Sequence, residues 1–550
     1  MLTDPFTPMG YSTILHIAGV SSKYLLYVNG YLYMDLTGFT ESWLFRYITV
    51  SKFKTMADEE LAQIITEIYK KESSDYSHKE GKIAKNGIMH NFFLPMVKLL
   101  LKLYRQKYDS AGLEDAIMKV YDEELAVEKK IREVGASECD DLIQKVYSIP
   151  FDAITAMCKM KGFMQFAFRK YEAIIALLKK NGMEAADAER LWKAPVENIA
   201  NQYNNLIVRL GQLLKQKGLE EKIKSLKGKE DVDCLMSELK NQEDECSQEI
   251  LHVWDVLMKD FGCRCHCEID VGASRYSDIP HKVLEMALNV ADGEVIEEET
   301  MKAEREEALR ELQQKVKPHV YKKIVEMLPV ASQFMKYREH QKYAFVRILD
   351  SYHQVLLTKG KIMKEKGMIE REDDIFYLFL EDVIQFEKGE VDGSEFMSKV
   401  KSSRDMMNSA VTFTTPRVLC QPEGLMCILS KKTHDELKTL PKNILKGVPT
   451  SAGVVKGKAV VGIDPHSIVL NKGDILVTRA TDPSWTPLFS AAAAVVIEIG
   501  GPLTHGSVVA KELGIPCIVG IPGLMERIQN GMEICVDGLK GTIEILFRVC

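Results

Sequence analysis

His505 stands in the stretch Gly500-Gly501-Pro502-Leu503-Thr504-His505-Gly506-Ser507-Val508-Val509-Ala510-Lys511-Glu512-Leu513-Gly514-Ile515-Pro516. The run Ala491 to Ile499 before it is apolar apart from Glu498 and predicts a buried strand; the apolar pattern after it stops at a Gly and then a Pro, as a helix does. The spacing thus predicts a histidine between a strand and a helix N-terminus. Free N–H groups and the positive end of the helix dipole favour an anion there, and a neutral imidazole can carry a phosphoryl group covalently. Gly500, Gly501 and Gly506 allow the backbone to approach a phosphate closely, and Thr504 offers a hydroxyl next to the ring. A lone histidine more often caps a turn. These surroundings, not the histidine alone, mark His505 as a candidate phosphate carrier.

The elements that would position it follow from the C-terminal hundred residues. Short strands are predicted at Val454–Val461 and Asp474–Thr478, then a loop Asp482-Pro483-Ser484-Trp485-Thr486-Pro487, the His505 segment, and a hairpin with turn residues Asp537-Gly538 and Gly541. Residues 441–453, with Gly447, Pro449 and Gly453, predict a hinge. From about Ala57 to Lys438 the spacing is helical with charged outer faces, and the charge run Lys302–Lys317 reads as a solvated helix face. At the start, a turn-rich apolar stretch Asp4–Gly10 precedes Tyr24–Tyr33, a hairpin broken at Asn29-Gly30. The expected fold is multidomain α + α/β: a large, mostly helical domain over 1–440, a hinge over 441–453 and a small β/α domain over 454–550.

Two clusters within the helical part carry reactive groups. In Cys263-Arg264-Cys265-His266-Cys267 the ligand types suit zinc, but i,i+2 spacing without a distant second pair does not, and no metal is expected. In Tyr337-Arg338-Glu339-His340-Gln341-Lys342-Tyr343 helical spacing puts Arg338 and Lys342 one turn apart on one face, as a surface ion-pair ladder also would. Asp373 and Asp374 read as structural carboxylates at a helix N-terminus.

Composition narrows the class. A chain of 550 residues with 46% hydrophobic content can build two to four cored domains. Its 72 basic and 79 acidic residues are mixed along the chain, giving a net charge of −7 and no electrostatic footprint for nucleic acid or an acidic membrane surface. The best candidate for a membrane span, Phe92–Tyr104, is broken by Pro95, Lys98 and Lys102. Asp4, Pro5 and Pro8 stand where a secretory leader would be basic and then apolar, and 12 cysteines are too sparse for a disulfide scaffold. A cytoplasmic protein with free thiols is expected.

The His505 stretch resembles the phosphohistidine segment of the swivelling domain, the PEP-utilising mobile domain, shared by phosphoenolpyruvate synthase, pyruvate phosphate dikinase and rifampin phosphotransferase. That segment reads Gly-Gly, two variable residues, Ser or Thr, His, a small residue and an apolar helix ending in Gly-Ile-Pro. Gly473–Arg479 and Thr481–Trp485 are similar to the same domain's "Gly-Asp-Ile-Leu-Val-Thr-Arg, x-Thr-Asp-Pro-x-Trp". In the helical part, Tyr33, Asp35, Leu36 and Thr37 resemble the opening of the rifampin phosphotransferase substrate domain. Tyr337–Lys342 resembles its "Tyr-Arg-Glu-x-x-Lys", and Asp373–Leu378 its "Asp-Asp-x-Phe-Tyr-Leu". Phe261–Asp270 resembles its "Tyr-Gly-His-Arg-Gly, two residues, Glu-Ile-Asp", with Cys263 in place of the histidine and Cys265 in place of the glycine.

The resemblance implies that His505, with Thr504 beside it, is phosphorylated and passes the group on. It implies that Arg338 and Lys342 hold the moving phosphate and that Glu339 orients or deprotonates the accepting hydroxyl. Arg264, Glu268, Asp270 and Arg275 would bind substrate, and Gly500, Gly501, Gly506 and Arg479 would serve the phosphate or the hinge. The family's N-terminal ATP-grasp domain and pyruvate-binding barrel are not matched. The implied protein is a phosphotransferase component that binds no cofactor itself, receives its phosphate from a separate ATP-grasp partner holding ATP and Mg²⁺, and delivers it to a hydroxylated small molecule. The alternative is an inactive or truncated relative that binds a ligand or a protein. Cys263 and Cys265 favour that alternative; the retained Thr504-His505, Arg338, Glu339 and Lys342 oppose it.

Overall fold

Helical periodicity shapes most of the chain. The computed structural model describes residues 5–18, 25–34, 59–71, 108–137, 139–151, 153–183, 191, 197–293, 295, 297–410, 418–420, 425–427, 441, 443–502 and 504–547. The expected Asp35-Leu36-Thr37 strand and the Phe92–Tyr104 run lie outside them. The helix Ser110–Gly135 starts at Asp109, whose carboxylate accepts from the Gly112 N–H, and buries Leu113, Ile117, Val120 and Ile131 at helical spacing. It packs along His340–Glu365, while Ala153–Lys180 packs along Pro318–Tyr337 and Ile199–Gln216 along Pro280–Asn289. In that last crossing a Cβ on Gly211 would lie 1.9 Å from the Ala287 carbonyl oxygen, so only glycine permits it. The charged helix Glu298–Lys315 buries only Ala308 and Leu312, as its pattern predicts.

At the start of the chain, Leu25–Val28 pairs antiparallel with Tyr31–Met34 across Asn29 and Gly30, both at positive φ, the two-residue hairpin expected there. Pro8–Ala18 is a helix rather than turns. Pro8 is its first residue, where a missing N–H costs nothing.

The C-terminal domain is a closed sheet. Val454–Val461, Ile475–Thr478, Ala494–Ile497 and Cys517–Val519 run parallel in that order, and the three short ones are buried on both faces, which is why they read as unbroken apolar runs. Glu533–Asp537 pairs antiparallel with Val454–Val461, and Thr542–Phe547 with Glu533–Asp537. The stretch expected as a hinge closes the sheet. Ile444–Lys446 pairs with Thr542–Phe547 at one edge, and Val448–Ser451, one residue on, pairs with Cys517–Val519 at the other. Gly447 joins the two, donating to the Gly541 carbonyl at 2.9 Å, and a Cβ there would lie 2.4 Å from Ile521. Within the 441–453 stretch, residues 444–446 and 448–451 are thus each paired to one edge of the sheet.

The two parts touch. One apolar cluster contains Leu210, Leu257 and Leu284 of the helical part together with Trp485, Leu488 and Phe489 of the closed-sheet domain, and Asn289 donates to the Ile468 carbonyl at 3.2 Å. No helix among the described residues is long and apolar enough to cross a membrane.

Candidate active site

The buried strand Ala494–Ile497 runs into Gly500-Gly501 and then into the helix His505–Leu513, with Thr504 at its N-cap. Gly514, at φ 69°, ends the helix in the left-handed conformation, as the Gly-Ile-Pro pattern predicts. Gly506 is required by packing, since a Cβ there would lie 2.5 Å from Thr481 Oγ1 and 2.6 Å from Ile497 Cδ1. The Thr504 hydroxyl does not face the imidazole. It donates to the Gly501 carbonyl at 2.8 Å and lies 3.2 Å from Ser507 Oγ, and Ser507 donates to the same carbonyl at 2.7 Å. Thr504 and Ser507 thus close the glycine loop, and the Thr504 side chain makes no capping hydrogen bond to the helix.

The hydroxyl beside the ring belongs to Thr486. His505 Nε2 lies 3.0 Å from Thr486 Oγ1, and Nδ1 lies 3.2 Å from Glu339 Oε1. An ionised carboxylate can only accept, so Nδ1 carries the proton; in the neutral ring Nε2 then holds its lone pair, and Thr486 donates to it. Burial pushes the Glu339 carboxyl up, but His505, then Arg338 and Lys342, act against it and hold the group well below the usual carboxylate range. Glu339 is therefore charged throughout the neutral range and a weak base.

Arg338 and Glu339, both with helical φ and ψ, form the junction between Pro318–Tyr337 and His340–Glu365. Arg338 and Lys342 turn to different partners. Arg338 grips the Glu512 carboxylate through both terminal nitrogens, Nη2 at 3.1 Å from Oε2, with the two side chains 8% and 6% exposed. Lys342 Nζ lies 2.6 Å from Glu268 Oε2. Burial alone would lower the Lys342 ammonium; Glu268, then Asp482, overcome it and keep the lysine charged.

The four residues expected at the substrate are buried among protein groups. Arg264 donates to Glu268 Oε1 at 2.7 Å and sits among the rings of Tyr203, Phe261 and Tyr343, at 5.1, 5.5 and 5.5 Å from their centroids. Asp270 accepts from the Thr7 backbone at 2.7 Å and the Thr7 hydroxyl at 2.6 Å, fastening the N-terminal helix. Arg275 donates to the carbonyls of Glu268 and Asp270 and to Cys265 Sγ. Burial pushes the Cys263 and Cys265 thiols up to about 12, so both stay protonated. Cys263 lies instead on a separate cleft of about 750 Å³, with Arg347, Asp350 and Ser277; His505, Arg338, Glu339 and Lys342 are not in its lining. Among the described residues no group of three His, Cys, Asp or Glu side chains is arranged to hold a metal ion. Arg479 Nε stands 3.8 Å from Glu498 Oε2, half-exposed, at the end of Ile475–Thr478.

Sequence reading missed Thr486 and Glu512. Thr486 follows the Asp482–Trp485 loop that the chain marks as a turn, and Glu512 lies two helical turns beyond His505; the signals were position relative to the ring, visible only once strand and helix are assembled.

Residues 470–541 match the family described as PEP-utilising enzyme, mobile domain, and residues 157–339 match that described as rifampicin phosphotransferase fourth domain. The rifampicin phosphotransferase of Bacillus cereus is 32% identical over 305 residues, 53% of this chain and 34% of its own length. That of Streptomyces sviceus is 33% identical over 299 residues, 52% of this chain and 33% of its own. A probable phosphoenolpyruvate synthase of Staphylothermus marinus is 42% identical over 105 residues, 18% of this chain and 13% of its own. The chain spans about a third of the length of the rifampicin phosphotransferases it matches. On these matches residues 470–541, which contain the His505 segment, are similar to the PEP-utilising enzyme mobile domain, and the chain is similar over about half its length to rifampicin phosphotransferases.

Proposed function

We propose that this chain carries a phosphoryl group on His505 Nε2 from an ATP-grasp partner, which holds ATP and Mg²⁺, to a hydroxyl of a small molecule. The observation that carries the reading is the pair of contacts on the ring: a carboxylate fixes the proton on Nδ1, and Nε2 is left as the nucleophilic nitrogen at a helix N-terminus. The Nε2 lone pair attacks the donor phosphorus, the phosphorus–oxygen bond to the donor breaks, and its electrons leave on the donor oxygen. The positive charge left on the ring is balanced by Glu339. In the second half the acceptor hydroxyl oxygen attacks phosphorus, the N–P bond breaks with its electrons returning to Nε2, and the hydroxyl proton leaves late to water.

Glu339 orients the imidazole here. Its depressed basicity argues against the expected role of deprotonating the acceptor. Arg338 and Lys342 bring positive charge to the same corner, while Arg264, Glu268, Asp270 and Arg275 act as the scaffold behind Lys342. Cys263 donates to the Asp260 carbonyl and Cys265 accepts from Arg275, both away from His505.

The test is nitrogen–phosphorus correlation NMR on the phosphorylated, ¹⁵N-histidine-labelled chain. Coupling of phosphorus to Nε2 of His505 is expected. Phosphate on Nδ1, or on another residue, would overturn the reading.

A further inference from the structure

The helix His505–Leu513 presents His505 in its first turn and Glu512 in its last, about two turns apart on one face. Both side chains reach the same two consecutive residues of the helical part: His505 meets Glu339, and Glu512 meets Arg338. One contact would leave the helix free to pivot; two of alternating charge fix its direction. Arg338 also faces Glu339. Its Nε is buried and lies 3.4 Å from Glu339 Oε1, the oxygen that meets the ring, in an ion pair without good hydrogen-bond geometry.

We propose that Glu512 is a positioning residue that holds His505 against Glu339 while the ring is unphosphorylated, and that a phosphoryl group on His505 displaces Glu512 from Arg338. The second half rests on the carrier reading above. A phosphoryl group brings up to about two negative charges next to the Glu339 carboxylate, and guanidinium is suited to take phosphate in the same two-pronged way that it takes carboxylate. Arg338, already beside Glu339, with its Nε 3.4 Å from the oxygen that meets the ring, is placed to make that exchange. Glu512 is then left with a buried charge and no partner, which loosens the last turn of the helix from the seam. The exchange makes and breaks ion pairs only.

Amide hydrogen exchange on the full chain tests this, with and without treatment by potassium phosphoramidate, which phosphorylates imidazole nitrogen directly and releases ammonia. In unphosphorylated Glu512→Gln, amides of residues 506–513 should exchange at least ten-fold faster than in the unsubstituted chain, and the two should agree within about two-fold once His505 is phosphorylated. The charge-swapped pair Arg338→Glu with Glu512→Arg should restore the unphosphorylated protection, which a fold merely damaged at Glu512 would not do. Equal protection before phosphorylation, a ten-fold gap that survives it, or a swap that fails to restore protection would each overturn the proposal. If phosphoramidate does not label His505, the carrier reading falls, and the unphosphorylated comparison still decides whether Glu512 positions the ring.

Discussion

Glu339→Gln should slow phosphorylation of His505 by about 10²–10⁴-fold and leave the chain folded. The amide keeps the shape of the side chain but changes two things. It can turn its NH₂ toward Nδ1, which then becomes an acceptor and moves the proton to Nε2, the nitrogen that must attack. It also lacks the negative charge that balances the ring once the N–P bond has formed. Arg338, 3.4 Å from Glu339 Oε1, loses a neighbouring anion as well. Single-turnover formation of acid-labile phosphate gives the rate, and a value within about three-fold of the unsubstituted chain would put Glu339 outside the reaction.

The same carboxylate has a pH signature. Its folded value is depressed: burial opposes ionisation, but His505, Arg338 and Lys342 prevail. It therefore adds stability that is fully present above the unfolded glutamate value of roughly 4.3 and is lost as pH falls towards the folded value. The margin by which the unsubstituted chain exceeds Glu339→Gln in stability should shrink as pH falls below roughly 4.3, as read by urea unfolding at each pH.

Arg264→Met should cost about 3–5 kcal/mol of stability, because it leaves Glu268 buried with one of its two cationic partners gone. Met refills the space among Tyr203, Phe261 and Tyr343, so the loss reports the charge rather than a cavity. Phosphate labelling per folded molecule should stay unchanged, since Arg264 does not touch His505 or Glu339. A stable Arg264→Met chain that is labelled but no longer discharges to an acceptor would return Arg264 to the substrate.

Local signals carried much of this. The buried strand before His505, the helix after it and its stop at Gly514 are each written within a few residues, as are the Asn29-Gly30 and Asp537–Gly541 turns. The errors are tertiary. Thr504 and Thr486 are equally good hydroxyls in sequence, and only the path of the loop decides that one bonds the Gly501 carbonyl and the other the ring. Gly and Pro at 441–453 mark a change of direction, and only the assembled sheet shows that 444–446 and 448–451 pair with its two edges. Arg338 and Lys342 have helical spacing, but only the assembled structure shows that one pairs with Glu512 and the other with Glu268.

The most direct measurement mixes the chain with ATP, Mg²⁺ and an ATP-grasp partner and follows acid-labile, base-stable phosphate on the chain, with His505→Ala alongside. Label on the unsubstituted chain that is absent from His505→Ala is the predicted result. No label in the presence of a partner shown to hydrolyse ATP, or equal label on His505→Ala, would contradict the account.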